Sequence, residues 1–369
     1  MRGKRVGLLS HQAALTADGS TSAQLLRRSL GKRLVALYGP EHGFFGQAGA
    51  GDRVATRRHP DWHIPVYSLY GRNRTPTQPM LKDVDVVVCD LQDLGVRCYT
   101  YLATLHEMLK VCASNRVEVV VTDRPIPLPQ TVDGPLTVPA FASFVAPCAL
   151  PMVYGMTPAE SAQWICKNNG LDLKLTVVPM ECWRRADAAW DGDRPAFMPP
   201  SPGIRTWGSA MSYAATVFSE ALPGIDCGRG TNLAFRVLGA PWLRAEEFCA
   251  LPDIRLLKGV TLHPYNYVAA VGPYAGREIN AVRLNVIDHA RFKPAETSAV
   301  LLRAFSETYG QPRVWRHKGV RPEWFDKLYG TDRVRAHLLG DKPLSVMFAD
   351  WRRERAAFNR TRQAALLYS

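Results

Sequence analysis

Val84-Asp-Val-Val-Val-Cys89-Asp90-Leu-Gln92-Asp93-Leu-Gly95-Val-Arg97 is the stretch on which the fold turns. The segment Val84 to Cys89 is short and rich in branched apolar residues, so it reads as a strand buried on both faces, as in a parallel sheet. It then breaks into Asp90, Gln92 and Asp93, polar residues placed where a buried strand leaves its sheet. Arg5–Leu9, Leu34–Leu37 and Val117–Val121 have the same character. Helical spacing separates them, with Ala23, Leu26 and Leu30 in Ser22–Leu30, and again in Tyr101–Ser114. Thr157-Pro-Ala-Glu160 opens a further helix, with Thr as cap, Pro at the first helical position and Glu closing a capping box. That helix stops at Asn169-Gly170, and Leu173–Val178 follows as a strand. Strands alternating with helices predict an α/β fold with an open, mainly parallel sheet and flanking helices.

The alternation breaks at 191–210, where Pro, Gly and Ser accumulate, and this marks a boundary between residues 1–205 and 206–369. Beyond it Glu278–Ile287 reads as a strand, while Ala295–Tyr309, Arg333–Leu339 and Leu344–Leu367 read as helices. The second part is therefore a smaller α+β domain. The full length of 369 residues gives the chain ample core, and 47% hydrophobic with 21% charged residues excludes a disordered chain. No apolar run reaches the ~20 residues of a membrane span. Val6–Leu9 is too short for the apolar part of a signal peptide, so the expected location is cytoplasmic.

The formal net charge is +13, and residues 311–369 carry 13 basic against 6 acidic side chains. Such an excess attracts anions in general. In Trp351-Arg-Arg-Glu-Arg-Ala-Ala-Phe358 the charges alternate with apolar residues, the pattern of a solvated helix face, so no nucleic-acid partner is expected. The eight cysteines form no Cys-x-x-Cys pair. No metal is therefore expected, and the thiols read as reduced core residues.

In open α/β sheets ligands bind beyond the carboxyl ends of the strands. Each end here carries functional side chains: Ser10-His11-Gln12, then Gly39-Pro-Glu41-His42-Gly43, then Asp90 to Asp93 with Arg97, then Asp123-Arg124. Their convergence on one cleft is the expectation. No Gly-x-Gly-x-x-Gly or Gly-x-x-x-x-Gly-Lys-Ser/Thr follows a strand, so no nucleotide cofactor is expected. No Gly-x-Ser-x-Gly elbow is present either. Paired carboxylates suit glycoside cleavage, in which one protonates the leaving oxygen and the other attacks or activates water. Glu41 is the acid candidate, with Phe44-Phe45 placed to raise its pKa by desolvation. Asp90, Asp93 and Asp123 compete for the second role. Each has a plainer reading as a helix cap or arginine partner, and His11 and His42 as turn histidines. Tyr67, Tyr70, Tyr99 and Tyr101 offer flat rings to a sugar or simply fill a core. Gly228-Arg229-Gly230-Thr231 presents an arginine between two glycines, as an anion contact or as a surface turn.

Taken in order, Gly39-Pro-Glu41-His42-Gly43-Phe44, Pro65-Val-Tyr67-Ser-Leu-Tyr70-Gly71, Asp90 to Tyr101, Asp123-Arg124-Pro125, Tyr154-Gly-Met156-Thr157 and Gly228 to Thr231 resemble the exo-β-N-acetylmuramidases of the NamZ type. The resemblance implies a Rossmann-like catalytic domain and a smaller C-terminal domain. It also implies release of N-acetylmuramic acid from the non-reducing end of peptidoglycan fragments. It matches Glu41 to the glutamate of the active-site loop, and His42 and Asp93 join Glu41 as the catalytic candidates. His11, Gln12, Tyr70, Asp90, Gln92, Arg97, Tyr99, Asp123, Arg124 and Arg229 line the cleft, with Arg97, Arg124 and Arg229 matched to the lactyl carboxylate. The implied partners are muropeptides or the N-acetylmuramyl disaccharide. A homodimer is among the possible states, and exported relatives keep a periplasmic or extracellular site open. Three departures stand out: Asp226-Cys227 where the family reads Ser-Glu, Ile126 in place of Asn, and Gly203 in place of Asn. They make an inactive or respecialised sugar-binding homologue the alternative.

Overall fold

Strands β1 (Val6–Ser10), β2 (Leu34–Gly39), β5 (Val86–Asp90) and β6 (Glu118–Thr122) form the centre of a seven-stranded sheet. β3 (Arg57–Arg58), β4 (Pro65–Ser68) and β9 (Leu175–Val178) complete it in the order β3-β4-β2-β1-β5-β6-β9. All pairings are parallel except that of the edge strand β3 with β4. Every residue of β1 and β5 is buried, as their unbroken apolar runs require. The computed structural model describes residues 3–187 and 197–369. Residues 191–196 of the Pro-rich boundary lie outside the described residues.

The helices of the first part are α1 (Ser22–Leu30), α2 (Gln78–Leu81), α3 (Tyr101–Ser114) and α4 (Pro158–Asn168). The expected capping box at α4 forms in full, with Thr157 and Glu160 satisfying each other's backbone N–H. A short hairpin of β7 (Asp133–Leu136) and β8 (Pro151–Val153) forms a separate, almost wholly buried two-stranded sheet.

The second part begins with α5 (Trp207–Thr216), capped by Thr206, and builds an antiparallel sheet of β10 (Val237–Ala240), β11 (Val260–Val268) and β12 (Glu278–Val286). Its remaining helices are α6 (Ala245–Ala250), α7 (Pro252–Arg255), α8 (Pro294–Tyr309), α9 (Gln311–Val314), α10 (Pro322–Tyr329), α11 (Arg333–Leu339) and α12 (Leu344–Gln363). One continuous core links Leu9 and Val87 under the large sheet to Phe305 and Tyr329 in the second part. Burial therefore couples the two parts rather than leaving them as beads on a linker.

α12 returns to the first part and ties it down. Its buried residues Met347, Trp351, Arg355 and Phe358 recur at helical spacing. Arg355 donates to Asp133 Oδ1 at 2.8 Å, and Arg362 donates to the Gly155 carbonyl at 2.7 Å. Arg352, Arg353 and Arg360 point outward. All eight cysteines are free thiols, and four of them are buried. Among the described residues no helix is long and apolar enough to cross a membrane.

Candidate active site

A cavity of about 430 Å³ opens where the loop after β2, the turn before α3 and the second part meet. Glu41, His42 and Gly51 form one wall, Tyr70, Tyr99 and Thr100 another, and Tyr213, Glu220, Arg229, Phe235, Arg321 and Trp324 close it from the second part. Its floor is thus shared by both parts of the chain.

The position of Glu41 follows from a tight reversal. A Cβ on Gly39 would come within 2.3 Å of the Phe44 nitrogen, so only glycine lets the loop fold back over the end of β2. His42 takes up the turn in the left-handed region at φ 69°, sparsely populated by non-glycine residues. Glu41 is left facing the cavity at 8% exposure. Its Oε1 accepts the Gly51 N–H at 2.9 Å and its Oε2 the Thr100 hydroxyl at 2.6 Å. The expected phenyl surround is absent. Phe44 packs in the core with Leu37 and Val66, and Phe45 sits against His59 and Arg57. His42 Nδ1 lies 2.9 Å from the Ala48 carbonyl. A carbonyl only accepts, so Nδ1 donates to it and Nε2 is the ring nitrogen left to face the cavity. The Tyr70 hydroxyl is pushed up to about 12 by burial and by the charge of Glu41.

The second carboxylate of the cavity is Glu220, in the single 3-10 turn Val217–Glu220 that follows α5. It is ion-paired with Arg229. Burial raises its pKa, Arg229 opposes the rise and the Glu41 charge adds to it. Arg229 is presented by a turn in which Asp226 Oδ1 accepts the Gly228 N–H at 2.7 Å and the Tyr267 hydroxyl. Asp226 therefore shapes the turn, while Cys227 beside it is a buried thiol. Arg321 donates to the Glu220 carbonyl and lies 5.8 Å from the Trp324 ring.

Of the residues expected from sequence, Glu41, His42, Tyr70, Tyr99 and Arg229 meet in this cavity. The others do not line it, and each has a structural partner instead. The crevice between β1 and β5, where the strand order reverses, is filled by protein. His11 Nε2 accepts the Gln92 N–H at 2.9 Å, and Gln12 donates to the carbonyls of Pro199 and Pro200. Burial, reinforced by the Arg124 charge, lowers the His11 pKa to about 3, so the ring stays neutral. Gln92 donates to Pro125 O at 2.7 Å.

Asp90 is chelated by Arg124 and Ser22, and Arg124 also reaches the Leu15 carbonyl at 3.0 Å. Asp93 accepts from Gly95 N–H at 2.8 Å and from the Tyr154 hydroxyl at 3.2 Å. Asp123 caps α4 through Ala159 N–H at 2.9 Å and Thr157, and holds the Tyr368 hydroxyl at 2.6 Å. Arg97 has no exposed surface. It donates to the carbonyls of Pro135, Leu150 and Leu328, joining the β7–β8 hairpin to α10. The guanidinium groups of Arg97 and Arg124 are thus occupied, and the expected convergence of four strand ends reduces to that of the Glu41 loop and the turn beyond Arg97.

Glu220, Thr100, Arg321 and Trp324 complete the cavity without having been singled out as site residues. Glu220 had a signal, as a glutamate upstream of Arg229, and Thr100 stands beside Tyr99 in the stretch from Asp90 to Tyr101. Arg321 and Trp324 are brought in by tertiary packing across the two parts.

Models of the N-terminal and C-terminal domains of the exo-β-N-acetylmuramidase NamZ match residues 6–208 and 211–368. The chain belongs to the NamZ family. It is 32% identical over 369 residues to the peptidoglycan β-N-acetylmuramidase NamZ of Bacillus subtilis (strain 168), covering 100% of this chain and 88% of that protein. Two crystal structures of DUF1343-family proteins from Bacteroides fragilis NCTC 9343 superpose over 100% of this chain. One covers 94% of its own chain at TM-score 0.90 and 28% identity, the other 95% at TM-score 0.76 and 25% identity. Membership of the NamZ family makes the chain a glycoside hydrolase with a Rossmann-like, mainly parallel sheet.

Proposed function

We propose that the chain is an exo-acting β-N-acetylmuramidase that releases N-acetylmuramic acid from the non-reducing ends of peptidoglycan fragments, with Glu41 as its general acid/base. The observation that carries this reading is that Glu41 and Glu220, from different parts of the chain, are the two carboxylates lining one cavity. Glycoside cleavage needs such a pair around an oxocarbenium-like transition state. As general acid Glu41 gives a proton to the departing glycosidic oxygen as the bond from that oxygen to the anomeric carbon breaks, and as general base its carboxylate takes a proton from the water whose oxygen then bonds to that carbon. Glu220, held by Arg229, sets a negative charge beside the anomeric carbon as positive charge develops there. His42 Nε2 offers a hydrogen-bonding nitrogen on the same wall. Tyr70, Phe235 and Trp324 provide flat surfaces for a pyranose ring.

The lactyl carboxylate distinguishes muramyl sugars from other hexosamines. Arg229 and Arg321 are the cations facing it in this reading, in place of Arg97 and Arg124. The alternative of a silent sugar-binding homologue rests on Asp226-Cys227, Ile126 and Gly203, but where Cys227 replaces a glutamate, Glu220 supplies a carboxylate to the same cavity.

The experiment is hydrolysis of a chromogenic β-N-acetylmuramide and its β-N-acetylglucosaminide counterpart by wild type and Glu41→Gln. The expected result is turnover of the muramide, at least tenfold preference over the glucosaminide, and a loss of about 10²–10⁴ in Glu41→Gln with an unchanged melting profile. Binding of N-acetylmuramic acid without turnover selects the silent homologue.

A further inference from the structure

A cavity of about 390 Å³ lies in the second part of the chain, between the start of α5 and the end of β12. It shares no lining residue with the catalytic cavity. Trp207 and Met211 of α5 and Ile287 beyond β12 supply apolar surface, while Ser212 and Asn285 supply polar groups. Ile287 is 64% exposed, so the apolar surface opens to solvent. The charge here is of one sign: Arg236 lines the cavity and, among the described residues, no carboxylate does.

The other buried arginines are met by protein: Arg97 by three carbonyls and Arg355 by Asp133. Among the described residues, the Arg236 side chain forms no ion pair and no hydrogen bond, and its Nε is buried without an acceptor. A Cβ at Gly208 would come within 2.7 Å of that Nε, so the guanidinium lies against the first turn of α5. Its backbone is pinned to β12, the Arg236 carbonyl accepting the Leu284 N–H at 2.8 Å. Burial and the Arg283 charge both push its pKa down, opposed only by Tyr265. A guanidinium nevertheless stays charged, so this half-buried cation carries a desolvation cost that no group of the protein offsets.

We propose that this pocket is a second binding site, separate from the catalytic cavity, for the terminal carboxylate of a short apolar peptide, with Arg236 as its cation. A planar carboxylate matches the guanidinium fork, and an apolar residue behind it matches Trp207, Met211 and Ile287. Ser212 and Asn285 are placed for the peptide's own amide groups. That the peptide is the one carried by a peptidoglycan fragment rests on the muramidase reading above, whereas the pocket itself does not.

The test is calorimetric titration of the full chain with N-acetyl-alanyl-alanine, its C-terminal amide and inorganic phosphate. Wild type is expected to bind the free acid on the order of tenfold more tightly than the amide or phosphate, by a margin that shrinks as salt rises. In Arg236→Met that margin disappears. Because Arg236 packs on α5, Asn285→Asp serves as a second variant. Asn285 is exposed, so the fold tolerates the change, and the new carboxylate in the lining should weaken binding of the acid by a similar factor.

No binding, equal affinity for acid and amide, phosphate bound as tightly as the peptide, or a preference that survives in both variants overturns the proposal. A preference lost in Arg321→Ala but kept in Arg236→Met places the carboxylate in the catalytic cavity and overturns it as well. The titration needs no turnover. Failure of wild type to hydrolyse a muramide therefore counts against the muramidase reading alone, and absent peptide binding beside intact hydrolysis removes the second site alone.

Discussion

Replacing Asp93 by Asn distinguishes a structural carboxylate from a catalytic one. Asp93 is 4% exposed, and its Oδ1 accepts from Gly95 and Tyr154. Burial outweighs these donors and lifts the carboxyl from 3.8 to about 6. In the unfolded chain the group titrates near its ordinary value. Between the two values the native state therefore binds more protons than the unfolded state, and stability falls as pH rises. The gap corresponds to about 3 kcal/mol, fully lost above roughly pH 7.

Asn has no proton to lose, and its Oδ1 can accept the same two hydrogen bonds. The stability difference, variant minus wild type, should thus grow by up to about 3 kcal/mol between pH 3.5 and pH 7. Urea unfolding at a series of pH values reads this difference directly. It also cancels carboxylates that act the other way, such as Glu107, which His106 holds down to about 2. Turnover of the Asn variant should stay within a few-fold of wild type, because Asp93 does not line the cavity. A difference that is flat with pH, or a hundredfold loss of turnover with the fold intact, refutes the reasoning.

Arg97→Met leaves the carbonyls of Pro135, Leu150 and Leu328 without their donor, and should cost at least about 3 kcal/mol in denaturant unfolding. Asp123→Ala removes a cap of α4 and the anchor of Tyr368. It should cost about 1–2 kcal/mol and open the C-terminal tail to carboxypeptidase, with KM unchanged. Thr100→Val withdraws the hydroxyl from Glu41. A fall in kcat of about tenfold, restored by Thr100→Ser, is the expected kinetic result.

The large sheet was legible because buried parallel strands have an unmistakable composition, and Thr157-Pro-Ala-Glu160 spells out its own helix start. β11 escaped because Pro264 and its polar neighbours argue against a strand. It is tolerated because β11 lies at the edge of its sheet. α5 escaped because its first residues belong to the Pro- and Gly-rich stretch.

The site was legible only in part, for a different reason. A short acidic segment after a strand looks the same whether it faces a ligand or caps a helix, as Asp123 does. Only packing decides, and here it turned Asp90, Asp93, Arg97 and Arg124 inward while bringing Glu220 and Arg321 to Glu41. Those contacts join residues far apart in the chain, which no local pattern encodes.

The most direct measurement is a crystal structure of Glu41→Gln with the N-acetylmuramyl disaccharide bound. The scissile oxygen should lie within about 3.2 Å of the residue-41 amide, with the anomeric carbon between it and Glu220 and the lactyl carboxylate on Arg229 or Arg321. A disaccharide seated away from residue 41, or with its lactyl group turned from both arginines, contradicts the account.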